Sequence, residues 1–337
     1  MKKGAILCGL GLILGQLVSV SASEAREVRI YSGRHYNTDR RAFKAFSQET
    51  GIKIRLIEAT GISLIERLKR EGKNSKADII LLVDAARINN AAEAGLLMPI
   101  QSKKLDQYVP QEYRDPKGRW FGLTRRVRAI IVNPSIVKPS SIKTYADLAK
   151  PEFKGKLCLR KRKNVYNQSL VADQMILKGT ANSSNWIKGM VSNINQPFYS
   201  GDSSLIRAVG QGKCGIGVVN HYYLARMQAG QSGRKDQSLA RSIKLIMPNP
   251  AHVNISAAGL AASAKNKTEA IQLIEYLASP KGSDALAGPT YEYPLRGFGT
   301  SAELKAFGSV NPDNVPISKL GSTQKKAIQI MAQNGWQ

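Results

Sequence analysis

The chain is poor in acidic residues and in the side chains on which most metal-dependent and nucleophilic enzymes rely. Its 337 residues hold 24 Asp and Glu against 50 Lys and Arg, with only three His and three Cys. So few His and Cys exclude an array of zinc fingers. The P-loop, G-x-S-x-G and H-E-x-x-H signatures are absent, and His221 and His252 lack the partners of a convincing triad. The sequence therefore argues against a hydrolase or an oxidoreductase.

Long apolar runs are also scarce, and the main one lies at the N-terminus. Lys2 and Lys3 precede an apolar stretch over residues 5–20, and small residues follow up to Ala22. This pattern is typical of a secretory signal peptide with cleavage near Ala22. The apolar part is shorter than the roughly 20 residues that span a bilayer. We therefore expect residues 1–22 to be removed and the mature chain to be periplasmic.

The positive charge, formally +26, raises the question of an anionic partner. The basic residues are scattered, with short clusters only at residues 125–128 and 160–163. No recognisable nucleic-acid-binding module surrounds them, and export makes a genomic partner unsuitable. We interpret most of the charge as a solvated basic surface and predict no nucleic-acid partner.

Two cysteines, Cys158 and Cys214, remain after the leader. In an oxidising compartment they can form one disulfide, which would contribute about 4 kcal/mol in the chain-entropy account. Two buried free thiols are the alternative. The sequence leaves this choice open.

Strand and helix patterns alternate along the chain. The first half predicts strands over 28–31, 52–57 and 77–83 with helices over 39–49 and 62–69 between them. This order is typical of a mainly parallel sheet covered by helices. The long extended stretch 120–133 predicts a strand that crosses into a second α/β unit. We expect an α/β fold of two lobes with a ligand cleft between them, the N-lobe from 23–124 and 253–300, the C-lobe from 125–252 and 301–337.

Four tyrosines stand among polar residues where segments turn: Tyr36, Tyr166, Tyr222 and Tyr223. A phenol has a pKa of about 10, yet a strong Lewis acid can remove its proton, as metals do for bound water. Phenolate oxygen is hard and suits Fe(III), and Tyr is an iron ligand in catalase. The alternative is four ordinary half-buried tyrosines. Because Tyr36 belongs to the first lobe and the others to the second, all four can converge on the cleft.

Three arginines are candidates for a supporting role, namely Arg34, Arg126 and Arg226. Four phenolates around Fe(III) leave one net negative charge, which a nearby guanidinium would offset. Arg226 follows Tyr222 and Tyr223 by four and three residues, so a helix would place it on their face. The alternative is that each arginine is one more basic surface residue.

Five segments of the chain carry a resemblance to a known family. They are Val28-Arg29-Ile30-Tyr31-Ser32-Gly33-Arg34-His35-Tyr36, Ala77-Asp78-Ile79, Tyr145-Ala146-Asp147-Leu148-Ala149, Pro151-Glu152-Phe153-Lys154-Gly155-Lys156 and Asn220-His221-Tyr222-Tyr223. These segments resemble the periplasmic ferric-iron-binding proteins of the FutA type, the substrate-binding part of an iron ABC importer. The resemblance covers essentially the whole mature chain. It implies a type II periplasmic binding protein that closes on its ligand, with mixed sheets flanked by helices.

The resemblance also implies a site and partners. Tyr36, Tyr166, Tyr222 and Tyr223 match the iron-binding positions, and His35 matches a position that is a ligand in some members and not in others. The implied cargo is Fe(III), and the implied partner is an inner-membrane ABC permease that receives it from a monomeric binding protein. A binding protein for another solute, such as a phosphate-like anion, is the alternative function.

Overall fold

The computed structural model describes residues 26–34, 36–195 and 197–337. The predicted signal peptide and His35 lie outside this part of the chain. Within the described residues, no helix is both long enough and apolar enough to cross a membrane.

The strands and helices of the described residues alternate for most of the chain. The strands are β1 (Glu27–Ser32), β2 (Lys53–Glu58), β3 (Ile79–Val83), β4 (Leu97–Met98), β5 (Phe121–Val132), β6 (Leu157–Cys158), β7 (Ile216–Asn220), β8 (Lys244–Ile246), β9 (Val253–Ala261) and β10 (Tyr293–Pro294). The helices are α1 (Asp39–Thr50), α2 (Gly61–Glu71), α3 (Ala85–Glu93), α4 (Lys103–Tyr108), α5 (Val165–Ser192), α6 (Asp202–Gly210), α7 (His221–Gln228), α8 (Arg234–Arg241), α9 (Lys267–Ala278), α10 (Pro280–Ala287), α11 (Ala302–Ala306) and α12 (Leu320–Gln333). Short 3₁₀ turns fill several of the connections.

The first sheet is built on the predicted parallel unit but is mixed as a whole. Strand β1 pairs in parallel with β2 and with β3. Strand β9 then pairs antiparallel with β3, and β5 pairs antiparallel with β9. The parallel order predicted for the first three strands is confirmed. The later strands are antiparallel because β9 enters this sheet from the opposite direction.

Strand β5 passes from the first sheet into the second. Residues from Phe121 to Val127 pair with β9, and residues from Arg128 to Val132 pair with β7 and β8. Such a division requires a strand of twelve residues, which the long extended pattern over 120–133 predicts. Residues at the change of partner, such as Arg126, therefore lie between the two sheets.

The second sheet carries the cysteine pair. Cys158 on β6 and Cys214, two residues before β7, form a disulfide with an S–S distance of 2.07 Å. Both cysteines belong to a buried apolar cluster that includes Ile131, Leu205 and Val219. Of the two alternatives that the sequence left open, the structure has the disulfide.

Element α5 consists of two helices that meet at Gly179, as the sequence predicts. The patterns over 169–177 and 186–191 predict two helices, and the element from Val165 to Ser192 has a non-helical residue between them. Gly179 interrupts it with φ of 80°, a left-handed conformation that glycine adopts without steric cost. The C-terminal helix α12 packs along both α5 and α3. Helix α3 follows β3 of the first sheet, and α5 follows β6 of the second sheet.

Candidate functional site

The four predicted tyrosines stand at the start of helices or just before one. Tyr36 lies in the connection from β1 to α1, and Tyr166 lies in the first turn of α5. Tyr222 and Tyr223 occupy the first turn of α7, directly after β7. The unpaired N–H groups and the dipole of a helix N-terminus favour negative charge. The backbone of three of the four tyrosines therefore lies at such a helix N-terminus.

The structure brings these tyrosines together. The ring centroids of Tyr36 and Tyr222 are 6.3 Å apart in an edge-to-face arrangement. The rings of Tyr222 and Tyr223 stack with centroids 4.5 Å apart. Tyr166 is near enough to act electrostatically on the other three hydroxyls. Tyr222 is fully buried, whereas Tyr36, Tyr166 and Tyr223 are half-buried.

The hydroxyls of Tyr36, Tyr222 and Tyr223 hold their protons strongly. Burial raises the pKa of Tyr36 and of Tyr222 well above the ordinary value, and the neighbouring phenols raise it further. Burial, with a contribution from Tyr166, raises the pKa of Tyr223 to about 12. Only a strong Lewis acid would displace these protons near neutral pH, and its binding would release them.

All three predicted arginines contact this cluster. The guanidinium carbon of Arg226 lies 5.2 Å from the ring centroid of Tyr223, 5.8 Å from that of Tyr222 and 6.0 Å from that of Tyr36. Helix α7 places it there, as the spacing predicts. The guanidinium carbon of Arg126 lies 5.7 Å from the ring centroid of Tyr166.

Arg34 lies beneath Tyr36, with its guanidinium carbon 4.8 Å from the ring centroid. Its Nε and Nη2 donate to the two carboxylate oxygens of Asp39 at 2.8 and 3.1 Å. The side chains of Arg34 and Arg126 are 0% and 1% exposed. These two arginines are therefore buried parts of the site, which excludes the alternative of basic surface residues for them.

Glu292 links the two buried arginines, and the sequence analysis did not identify it. Its carboxylate lies 2.8 Å from Nη1 of Arg34 and 3.0 Å from Nη2 of Arg126, and it accepts a hydrogen bond of 2.8 Å from the Thr124 hydroxyl. Burial opposes its ionisation, but the charges of Arg34 and Arg126 outweigh burial and lower the pKa of Glu292 to about 2. The side chain is therefore a carboxylate inside the protein at neutral pH.

Two buried aspartates at the ends of β3, Asp78 and Asp84, have structural roles. Asp84 caps α3 by accepting the N–H of Ala86 at 3.0 Å, as a strand-end aspartate often does. The Asp78 carboxylate accepts backbone N–H groups of Arg29, Lys265 and Asn266. Both carboxylates are thus occupied.

His221 lies next to Tyr222, but its Nδ1 already accepts a hydrogen bond. It stacks on Tyr293 with ring centroids 4.2 Å apart, and its Nδ1 accepts the N–H of Val127 at 3.1 Å. Burial lowers its pKa to about 3, so the ring is neutral. The sequence also assigned no partner to His252, whereas Nδ1 of His252 lies 2.9 Å from a carboxylate oxygen of Asp173.

Comparison with known proteins places the chain in a family. Residues 74–314 match the family described as bacterial extracellular solute-binding protein. Iron uptake protein A1 of Synechocystis sp. is 38% identical over 324 residues, which cover 95% of this chain and 90% of that protein.

Solved structures agree with this assignment. The Trichodesmium protein described as FutA (IdiA) in complex with iron and citrate ligands is 40% identical, with a TM-score of 0.88 over 92% of this chain and 100% of that one. A ferric binding protein from Campylobacter jejuni is 34% identical, with a TM-score of 0.86 over 92% of this chain and 100% of that one. The predicted fold class, a two-lobe α/β binding protein, is confirmed. The chain therefore belongs to the bacterial extracellular solute-binding proteins.

Proposed function

We propose that this chain binds ferric iron in the cleft between its lobes and carries it to a transporter. The observation that carries the proposal is the convergence of Tyr36, Tyr166, Tyr222 and Tyr223 beside three arginines. Relatives described as iron uptake and ferric binding proteins support it. The proposed role is binding and delivery without turnover.

The four tyrosines are the proposed ligands, and each would bind as a phenolate. Burial raises the pKa of Tyr36 and of Tyr222, so their proton loss depends on the charge of the metal. Arg226 and Arg126 would stabilise the phenolates that form, since they lie over their rings. His35 stays a proposed fifth ligand, and it lies outside the described residues.

The proposed lobes divide the chain as the sequence analysis divides it, into 23–124 with 253–300 and 125–252 with 301–337. The change of partner along β5 after Val127 supports a boundary near residue 125. Tyr36 then belongs to the N-lobe and the other three tyrosines to the C-lobe. A ligand held by both lobes favours the closed state over the open one, and hinge closure is a known mode of periplasmic binding proteins.

The partners and location follow from the same proposal. The chain would act as a monomer in the periplasm after removal of residues 1–22, and the closed form would dock on an inner-membrane ABC permease. Membership of the extracellular solute-binding family supports an exported transport role. Nucleic acid has no place in this function.

The visible absorption spectrum of the purified protein tests the proposal. Iron-free protein titrated with Fe(III)–citrate should develop a broad visible band from tyrosinate-to-iron charge transfer. Tyr222→Phe should weaken or shift the band. Tyr276→Phe is the matched control, because Tyr276 is a half-buried tyrosine of α9 that packs on Phe46 in the first sheet's core.

A protein that stays colourless would refute ferric binding by tyrosinate. Calorimetric titration of that protein with inorganic phosphate would then test the alternative, a site for a phosphate-like anion. One observation favours that alternative. The buried Nη1 of Arg126 has no hydrogen-bond partner among the described residues and could donate to an anion.

A further inference from the structure

A second group of potential metal ligands shares no residue with the tyrosine cluster. It consists of Asp173 on α5, His252 immediately before β9, and Asp313 between α11 and α12. One ligand atom from each residue lies within 4.8 Å of the other two. Asp173 and His252 are 1% and 2% exposed, and Asp313 is half-buried. Three segments distant in sequence therefore converge on one small volume.

Two of the polar atoms in this group lack a hydrogen-bond partner. Nδ1 of His252 lies 2.9 Å from Oδ1 of Asp173, but it makes no hydrogen bond of acceptable geometry within the described residues. Oδ2 of Asp313 is buried and accepts no hydrogen bond from the described residues either. A buried polar atom without a partner is costly, so both atoms point to a missing ligand.

The two carboxylates of the group share one basic side chain. The chain has about twice as many basic as acidic residues. Yet within the described residues neither Asp173 nor Asp313 forms an ion pair with Lys or Arg, and the ion pair of Asp173 is with His252. One imidazole thus faces two neighbouring carboxylates, which is unfavourable when they are buried.

The group has access to solvent. Asp313 lines an open cleft of about 500 Å³ together with Glu112, Arg114 and Ile317. Arg114 forms its ion pair with Asp106 and not with Asp313. A small ion can therefore approach the two buried residues past Asp313, which supplies the entry path that a metal site requires.

We propose that Asp173, His252 and Asp313 bind a divalent transition-metal cation such as Zn²⁺ or Mn²⁺. One imidazole nitrogen and two carboxylate oxygens suit these ions. Adjacent ligands on bonds of about 2.1 Å lie about 3.0 Å apart in octahedral geometry and about 3.4 Å apart in tetrahedral geometry, so the 2.9 Å between Nδ1 of His252 and Oδ1 of Asp173 is near the octahedral value. The ion would tie α5, which carries Tyr166 two turns before Asp173, to the start of β9.

Calorimetric titration of the iron-free protein with Zn²⁺ tests this site. We expect one Zn²⁺ per chain, with affinity reduced at least about tenfold in Asp313→Asn and in His252→Gln, since loss of even an outer partner costs 10–100-fold. Asp284→Asn is the control, because Asp284 is an exposed carboxylate on α10. Tyr222→Phe should bind Zn²⁺ as the wild type does. The pulsed EPR spectrum of the Mn²⁺ form should show one ¹⁴N coupling, absent in His252→Gln.

Three outcomes would overturn the proposal. The first is no Zn²⁺ binding at millimolar concentration. The second is equal binding by the wild type and by both site variants, with folding verified by circular dichroism. The third is loss of Zn²⁺ binding in Tyr222→Phe, which would assign the ion to the tyrosine cluster. The proposal does not depend on ferric binding, because the titration contains no iron.

Discussion

Replacing Glu292 by Gln removes the one carboxylate that joins the two buried arginines. Arg34 keeps Asp39 as a partner, but Arg126 loses its carboxylate and, among the described residues, retains only the Ser256 hydroxyl. The pKa of Glu292 falls from 4.5 to about 2 in the folded protein, and each unit corresponds to about 1.4 kcal/mol. The free energy of unfolding at pH 7 should therefore fall by about 3 kcal/mol, at the low end of the 3–5 kcal/mol for a broken buried pair.

Urea unfolding of the iron-free protein measures this difference. Glu66→Gln is the matched control, since Glu66 forms an exposed ion pair with Lys69 and should lose less than about 1 kcal/mol. Because the folded pKa of Glu292 is lowered, its contribution is complete above its unfolded pKa and is lost as the pH falls through the folded value. The difference between wild type and Glu292→Gln should be constant from pH 7 to about pH 5 and should shrink below about pH 4.5.

The same substitution separates stability from iron binding. After burial, the charge of Glu292 is the largest contribution that raises the pKa of Tyr36. Without that charge, Tyr36 loses its proton more easily, so the ferric band should persist to a lower pH in Glu292→Gln. A loss of stability below about 1 kcal/mol, or loss of the ferric band in a folded variant, would refute this account of the buried network.

Three further outcomes follow from the same contacts. Cys214→Ser should lower the free energy of unfolding by about 4 kcal/mol, because the disulfide closes a loop across 56 positions. Dithiothreitol should lower the stability of the wild type by the same amount and should leave that of the variant unchanged. Arg226→Gln should weaken ferric binding with little change in urea stability, and the ferric band should disappear at a higher pH than in the wild type, whereas an unchanged pH midpoint would contradict a charge effect on the phenolates. Fe(III)–citrate at about 100 times the dissociation constant should stabilise the wild type by about 2.7 kcal/mol, and thermal unfolding should show no such gain in a variant with Tyr222 and Tyr223 both changed to Phe.

Local patterns predicted most of the elements because each depends on neighbouring residues. The alternation of β1, α1, β2, α2 and β3 follows from apolar periodicity and from Gly51, which ends α1 in a left-handed conformation. The return of residues 253–300 to the first lobe was predicted, but the antiparallel pairing of β9 with β3 was not, since no local pattern sets the direction of a strand that arrives more than 170 residues later. The two helices of α5 were predicted separately because Gly179 breaks the helical pattern between them.

Some residues of the candidate site were predictable from local sequence, and others were not. The tyrosines were recognisable because they stand in polar turns beside strand ends, and Arg226 because helical spacing places it over Tyr222. Glu292 has no such local signal. It reaches Arg126 because β10 pairs with β5, and only long-range pairing brings the two side chains together. The same holds for Asp173 and His252, which are 79 positions apart in sequence and in contact in space.

The contacts of the three arginines indicate a division of roles. Arg34 and Arg126 are buried and share Glu292, so much of their charge is already compensated before any metal arrives. Arg226 is half-buried, touches three of the tyrosine rings, and has no carboxylate within ion-pair distance among the described residues. Its charge is therefore the one most available to phenolates that form when a metal binds. Substitutions of Arg34 and Arg126 should act mainly on folding, and substitution of Arg226 should act mainly on the ligand.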